Sequence, residues 1–472
     1  MHRDAAAAPT AIPSHASLPR VLGLSHATAV VVGTIIGSGI FLVPQEMMRA
    51  VGTSGLVYLA WTAAGLLSLF GAMTYAELAA RMPEAGGEYV YLREAYGDLT
   101  AFLYMWTWFA VAKPASIASV TTGLARTLAL FPALSWLDRV SITAPFPIYW
   151  SQLFAILVTW LITGLNYLGM RRAGNFQLVF TCLKVLLVLG ISAACFFSPL
   201  GSISHFRTVF SGAQGGISGF MVALIAALWA YDGWNDLNMV AGEVKRPQRN
   251  LPLALICGVV IVGVLYMAVN AAIQYMLPAA VVAGSPRPAV AAMALATGPA
   301  GAAIVTAGMA LSILVTLNGT IMSGARVPFA AARDGLFIGR LAEVHPRFQS
   351  PAPSLITQGL LSTFLLLVVG RFQQLFELAI FSEWLFYMLA TSTIFVYRRR
   401  APASGEAATF RMWGYPVLPV LFIAAAAVLL YYSFASNLRN SLIGSAIILC
   451  GIPLYLLFRR HGRRDRGARS RT

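Results

Sequence analysis

Two short stretches carry groups that an uninterrupted apolar helix would not expose. In Thr34-Ile35-Ile36-Gly37-Ser38-Gly39-Ile40-Phe41 a Gly-Ser-Gly triplet sits in mid-run. In Trp229-Ala230-Tyr231-Asp232-Gly233-Trp234-Asn235 an acid, a glycine and an asparagine do the same. Glycine lowers the cost of leaving helical geometry. A break at Gly37-Ser38-Gly39 exposes N–H donors and the positive end of a dipole at the start of the following half-helix, which suits a carboxylate. The carbonyls that end the preceding half, near Ile35, and those near Trp229 suit an ammonium. A carboxylate site beside an ammonium site fits a free α-amino acid; a bound ion is the alternative reading of the same break. A third candidate is Lys184, an ammonium inside an otherwise apolar run. A charge at that depth is expensive and marks function by default. It lies ten residues beyond Gly174, about 15 Å along a helix.

The elements that would hold these groups follow from composition. Of 472 residues 58% are hydrophobic and 11% charged, against about 25% charged in soluble domains. A soluble surface cannot be covered with so few charges, so the chain is read as a polytopic all-α membrane protein. Apolar runs predict twelve spans, at 22–49, 55–80, 97–130, 148–168, 174–198, 214–241, 251–278, 300–330, 354–370, 374–397, 415–436 and 439–458, with a short helix within 283–299. Residues 1–20 and 461–472 read as tails, disordered and basic respectively, and no cleavable leader is expected. With both tails inside, 23 of the 33 Lys and Arg fall on one side and six on the other. That bias puts both termini in the cytoplasm and removes any need for nucleic acid to explain the net charge of +16. The two interruptions fall in spans 1 and 6. Five spans is an odd number, so residues 21–200 (spans 1–5) and 201–400 (spans 6–10) would be oppositely oriented repeats with breaks facing near the midplane. This is the plan of a secondary transporter; spans 11 and 12, within 401–460, lie outside the repeat. Gly-Ser-Gly alone would equally suit a small-residue helix contact; the second break argues against that. Cys182, Cys195, Cys257 and Cys450 form no CxxC pair and read as buried small residues. No catalytic constellation, cofactor or metal site is expected.

At these residues the sequence resembles the amino acid–polyamine–organocation superfamily, and within it the L-type amino acid transporter branch. The resemblance rests on residues 33–41, Tyr75-Ala76-Glu77-Leu78, Pro83-Glu84-Ala85-Gly86-Gly87-Glu88-Tyr89, Lys113-Pro114-Ala115-Ser116, Ala230-Tyr231-Asp232-Gly233-Trp234-Asn235 and Ala332-Arg333-Asp334-Gly335. It implies a leucine-transporter-type fold, alternating access, and residence in the plasma (inner) membrane. It implies that the Gly37, Ser38 and Gly39 region binds the substrate carboxylate, that the Ile35 and Trp229 carbonyls bind its ammonium, and that Trp229 also serves as an aromatic gate. Lys184 matches the place where sodium-coupled relatives hold sodium, which implies sodium-independent exchange. Its expected neighbours are the carbonyl end of broken span 1 and span-8 hydroxyls, with Thr316 and Thr320, which share a helix face, as candidates.

Asp232 is open to two readings: an anion that favours a cationic substrate side chain, as the Tyr-Asp-Gly-Trp pattern of some branch members implies, or a cap on the unwound segment. Lys113 and Arg326 are expected to pair with carboxylates such as Glu77. Animal members of the branch bind a heavy subunit through a cysteine between spans 3 and 4; residues 131–147 hold none, so no disulfide-linked partner is expected. The alternatives are proton-coupled amino acid or polyamine uptake through Glu77 or Lys184, and a receptor that binds without transport.

Overall fold

The computed structural model describes residues 17–142, 147–368, 372–400, 410–436 and 438–469. Residues 1–16 and 470–472 of the expected tails lie outside the described residues. The chain folds into helices α1 Leu24–Ile35, α2 Gly39–Val51, α3 Ser54–Arg81, α4 Glu88–Tyr96, α5 Asp98–Thr107, α6 Lys113–Leu128, α7 Trp150–Tyr167, α8 Met170–Phe196, α9 Gly216–Ala230, α10 Asp236–Met239 and α11 Pro247–Met276. They continue with α12 Ala279–Gly284, α13 Pro288–Thr297, α14 Pro299–Gly324, α15 Arg326–Arg333, α16 Ala352–Val368, α17 Phe372–Arg400, α18 Val417–Ser436 and α19 Leu438–Arg469. A small antiparallel hairpin pairs β1 Val140–Ile142 with β2 Ile148–Tyr149. Among the described residues, five helices are long and apolar enough to cross a membrane, and the bent pair α1 and α2 makes a sixth. In hydrocarbon every backbone polar group must find a partner within the protein, and a helix pairs its own.

The core lies between the broken elements and their neighbours. α1 packs on α8, α11 and α14, while α2 and α3 pack on α9. These contacts are close because small residues line them. A Cβ on Gly33 would stand 2.3 Å from Thr181 Oγ1, and one on Gly258 2.5 Å from Val31 Cγ1.

Four features depart from the sequence reading. Leu18, expected in a disordered tail, is buried beside Ala85 and Phe329. α19 continues as helix to Arg469 instead of ending at 458. Helix α4, between spans 2 and 3, was not foreseen. The run predicted as one helix over 97–130 contains a π-helical turn at Trp108–Ala112. Pro114 follows it and has no N–H to donate to Ala110, so the wider turn is tolerated there. Such turns cluster at functional sites, and this one leads straight into Lys113.

Candidate functional site

The first break bends by 41° between α1 and α2. Ser38 is the residue before α2, and the amides of Gly37, Ser38, Gly39 and Ile40 donate to no described protein group. The second break separates α9 from the single turn of α10 at residues 231–235, with Gly233 at φ +100°. A Cβ there would lie 2.9 Å from Thr34 Cγ2, so glycine is required both for the dihedral and for contact with α1.

Between the breaks lies a cavity of about 130 Å³. Its wall includes Thr34, Ile35, Gly37, Ser38, Gly39, Trp229, Asp232, Thr316 and Thr320, so the expected substrate-binding residues share one cavity. Gly39 is a point of close approach between spans 1 and 6. A Cβ on it would be 3.1 Å from Ala230 Cβ and 3.4 Å from the Trp229 ring. Gly39→Ala should therefore raise the half-saturating substrate concentration by about ten-fold, roughly 1.4 kcal/mol. Gly37→Ala should cost less, because its nearest neighbour would be Thr316 Oγ1 at 3.7 Å. Concentration-dependent uptake by the two variants checks this; equal penalties would refute the steric account.

The carbonyls are partly engaged. Tyr266 Oη reaches both Ile35 O (3.1 Å) and Ala230 O (2.8 Å), and Trp229 O accepts the Asp232 N–H at 3.1 Å. A carbonyl oxygen carries two lone pairs, so the Ile35 and Ala230 oxygens can each accept more than the Tyr266 bond. Ala230 and Tyr266 were missed by sequence reasoning, since a tyrosine in an apolar run gives no sign of its partner.

Lys184 is fully buried on α8. Its Nζ donates to Gly33 O (2.8 Å), Ile36 O (2.6 Å) and Ser312 O (3.1 Å), which uses all three N–H groups. The expected proximity to the carbonyl end of α1 is present. The span-8 partner differs from the expectation: it is the Ser312 carbonyl, while the Ser312 and Thr316 hydroxyls donate to the same cluster of α1 oxygens. Thr320 lines the cavity but its hydroxyl bonds back to Thr316 O in its own helix. It does not reach Lys184.

The charges pair differently from the sequence reading. Lys113 Nζ bonds Asp236 Oδ1 at 2.7 Å and lies 4.5 Å from the Trp108 ring centroid. Arg326 pairs with Glu243, both fully buried. Glu77 is held instead by Arg398 (2.6 Å) and Arg81 (3.0 Å), and accepts the Met412 N–H. Two guanidiniums thus engage the one Glu77 carboxylate. Asp232 takes a hydrogen bond from Tyr387 at 3.0 Å, and Tyr387 Oη also lies 3.1 Å from Asn235 Oδ1. Asn235 donates to Glu88 on α4 at 2.7 Å, and Tyr104 donates to the same carboxyl. Burial pushes the Glu88 carboxyl up to about 7, with the Asn235 hydrogen bond pulling the other way. Glu383, Trp384 and Tyr387, all on α17, complete the cavity wall. Glu383 had a signal that was passed over: it is an acid within an apolar run, as conspicuous as Lys184.

With this geometry in view, comparison with known proteins is decisive. Residues 22–457 match the family model described as amino acid permease. The chain belongs to the amino acid permease family. The permease is 32% identical to the serine/threonine exchanger SteT of Bacillus subtilis (strain 168), over 93% of this chain and 96% of the relative. It is 33% identical to the human b(0,+)-type amino acid transporter 1, over 82% and 77% of the two chains. The human cystine/glutamate transporter is 29% identical over 93% and 85%. Family and fold together make the permease a multi-pass membrane transporter and not an enzyme.

Proposed function

We propose that the permease exchanges L-amino acids across the plasma membrane without sodium, by alternating access through a twelve-span, leucine-transporter-type fold. In this reading residues 21–200 and 201–400 are the inverted repeats and both termini are cytoplasmic. The substrate carboxylate meets the amides of Gly37, Ser38 and Gly39. Its ammonium meets Ile35 O and the carbonyls ending α9, at Trp229 and Ala230. The ring of Trp229, which packs near Gly39, covers the site. The relatives' names, serine/threonine exchanger and cystine/glutamate transporter among them, support exchange but diverge on substrate.

The observation that carries the proposal is the pairing of unspent amides at one break with a buried ammonium behind it. Lys184 already gives its three protons to the oxygens a sodium ion would need. The Lys184 ammonium thus supplies the positive charge at that position, which supports sodium independence. In proteoliposomes loaded with unlabelled amino acids, labelled substrate should enter by trans-stimulation at the same rate in sodium and choline buffers. Uptake that ignores internal substrate, or that requires sodium, would overturn the proposal.

A further inference from the structure

Among the described residues, four charged side chains line the cavity: Lys113, Asp232, Asp236 and Glu383. Lys113 and Asp236 neutralise one another at 2.7 Å. Asp232 has only the Tyr387 hydroxyl as a side-chain hydrogen-bond partner among the described residues. Glu383 makes no hydrogen bond or ion pair with any described residue. It is half-buried on the cavity wall and within electrostatic reach of Asp232, Asp236, Lys113 and Glu88. Glu383 and Tyr387 are spaced i, i+4 and so share one face of α17. Tyr387 touches Asp232, so that face abuts the break after α9. The cavity thus presents two carboxyl groups to which, among the described residues, no cation is directly paired, the nearby Lys113 being bonded to Asp236.

A buried carboxylate without a cation is unfavourable, and a ligand that brings one gains what the protein lacks. The substrate backbone is itself a zwitterion and supplies no net charge, so the balance must come from the side chain. We infer that Glu383 is a specificity-determining residue which, together with Asp232, takes the cationic side chain of a long basic L-amino acid. A guanidinium, with five donors in a rigid fork, serves two carboxylates better than an ammonium does. L-Arginine is therefore preferred over L-lysine, and both over neutral amino acids. L-Glutamate is rejected by like charge. This rests on the exchange reading for the position of the substrate backbone.

The test uses the full-length permease in proteoliposomes and, separately, in detergent. Trans-stimulated uptake of labelled L-arginine and L-alanine is measured for the wild type, Glu383→Gln and Glu383→Asp; binding of labelled L-arginine is measured in detergent. The wild type should favour arginine over alanine at least ten-fold in the ratio of uptake efficiency. Glu383→Gln should cut that ratio at least ten-fold, while Glu383→Asp keeps most of it. Monodisperse elution and an unchanged unfolding temperature establish that the variants are folded. An unchanged ratio in Glu383→Gln, or a wild type that exchanges alanine and ignores arginine, overturns the inference. Arginine binding that depends on Glu383 without flux of any amino acid would uphold it and overturn exchange. Absence of arginine binding in the wild type refutes it whatever the flux.

Discussion

Lys184→Ala should lower exchange by at least about 100-fold while leaving the protein inserted and monodisperse. The substitution removes one ammonium and leaves the oxygens of Gly33, Ile36 and Ser312 short of donors. A buried polar group left unsatisfied costs about 1–3 kcal/mol, so the loss of a donor at three oxygens together reaches the roughly 2.7 kcal/mol that a 100-fold effect represents. Part of the cluster survives: the Ser312 hydroxyl still donates to Ile36 O at 2.7 Å and Thr316 lies 3.3 Å from the same oxygen. The damage therefore falls on the geometry of the break, not on insertion. Uptake per mole of reconstituted protein measures it. Flux within two-fold of the wild type would show that the ammonium does not hold the transport-competent arrangement.

Arg326→Ala should destabilise the fold by about 3–5 kcal/mol, the usual cost of stranding one partner of a fully buried pair. Arg326 Nε lies 2.9 Å from Glu243 Oε1, and its Nη1 donates to Met322 O. The backbone carbonyl of Glu243 takes the N–H groups of Val21 and Leu22, at 2.9 and 3.0 Å. The pair thus fixes the entry of α1 against the turn after α10. Burial pushes the Glu243 carboxyl up, and the guanidinium pulls it part of the way back. Without Arg326 the upward push acts alone. The folded state then binds a proton more readily than the unfolded chain, so the variant should gain stability as pH falls and lose it as pH rises. Thermal unfolding in detergent across pH checks both size and sign. The double variant Arg326→Met with Glu243→Met should recover much of the loss, because two apolar groups leave no buried charge. A double variant as unstable as Arg326→Ala would disprove this explanation.

What could be read in advance divides by physical cause. The two breaks were legible because glycine and polar residues inside an apolar run have no other economical explanation, and Lys184 because a charge at depth must have a partner. Helix limits were legible wherever charge or proline ended an apolar run, as at Arg81 and Pro299. Pairings were not. Lys113, Arg326 and Glu77 are each visible as charges, yet Asp236, Glu243 and Arg398 become their partners only when distant segments meet. The π-helical turn before Lys113 leaves no mark on periodicity, since one extra residue per turn is lost among residues apolar on every side. Helix α4 is nine residues long, too short for a periodic pattern. Glu383 is the instructive omission, for the rule that found Lys184 applied to it equally.

The Tyr266 hydroxyl stands between two carbonyls, one at the end of each broken segment, and owns a single proton. An empty carrier leaves one of these oxygens underserved at every instant. A cargo amine arrives with three donors and ends the shortage. Under the proposed exchange cycle, the loaded protein would cross its closed state with a full set of bonds and the vacant one in deficit. A toll of that kind on the vacant return stroke would tie the exit of one solute to the entry of another.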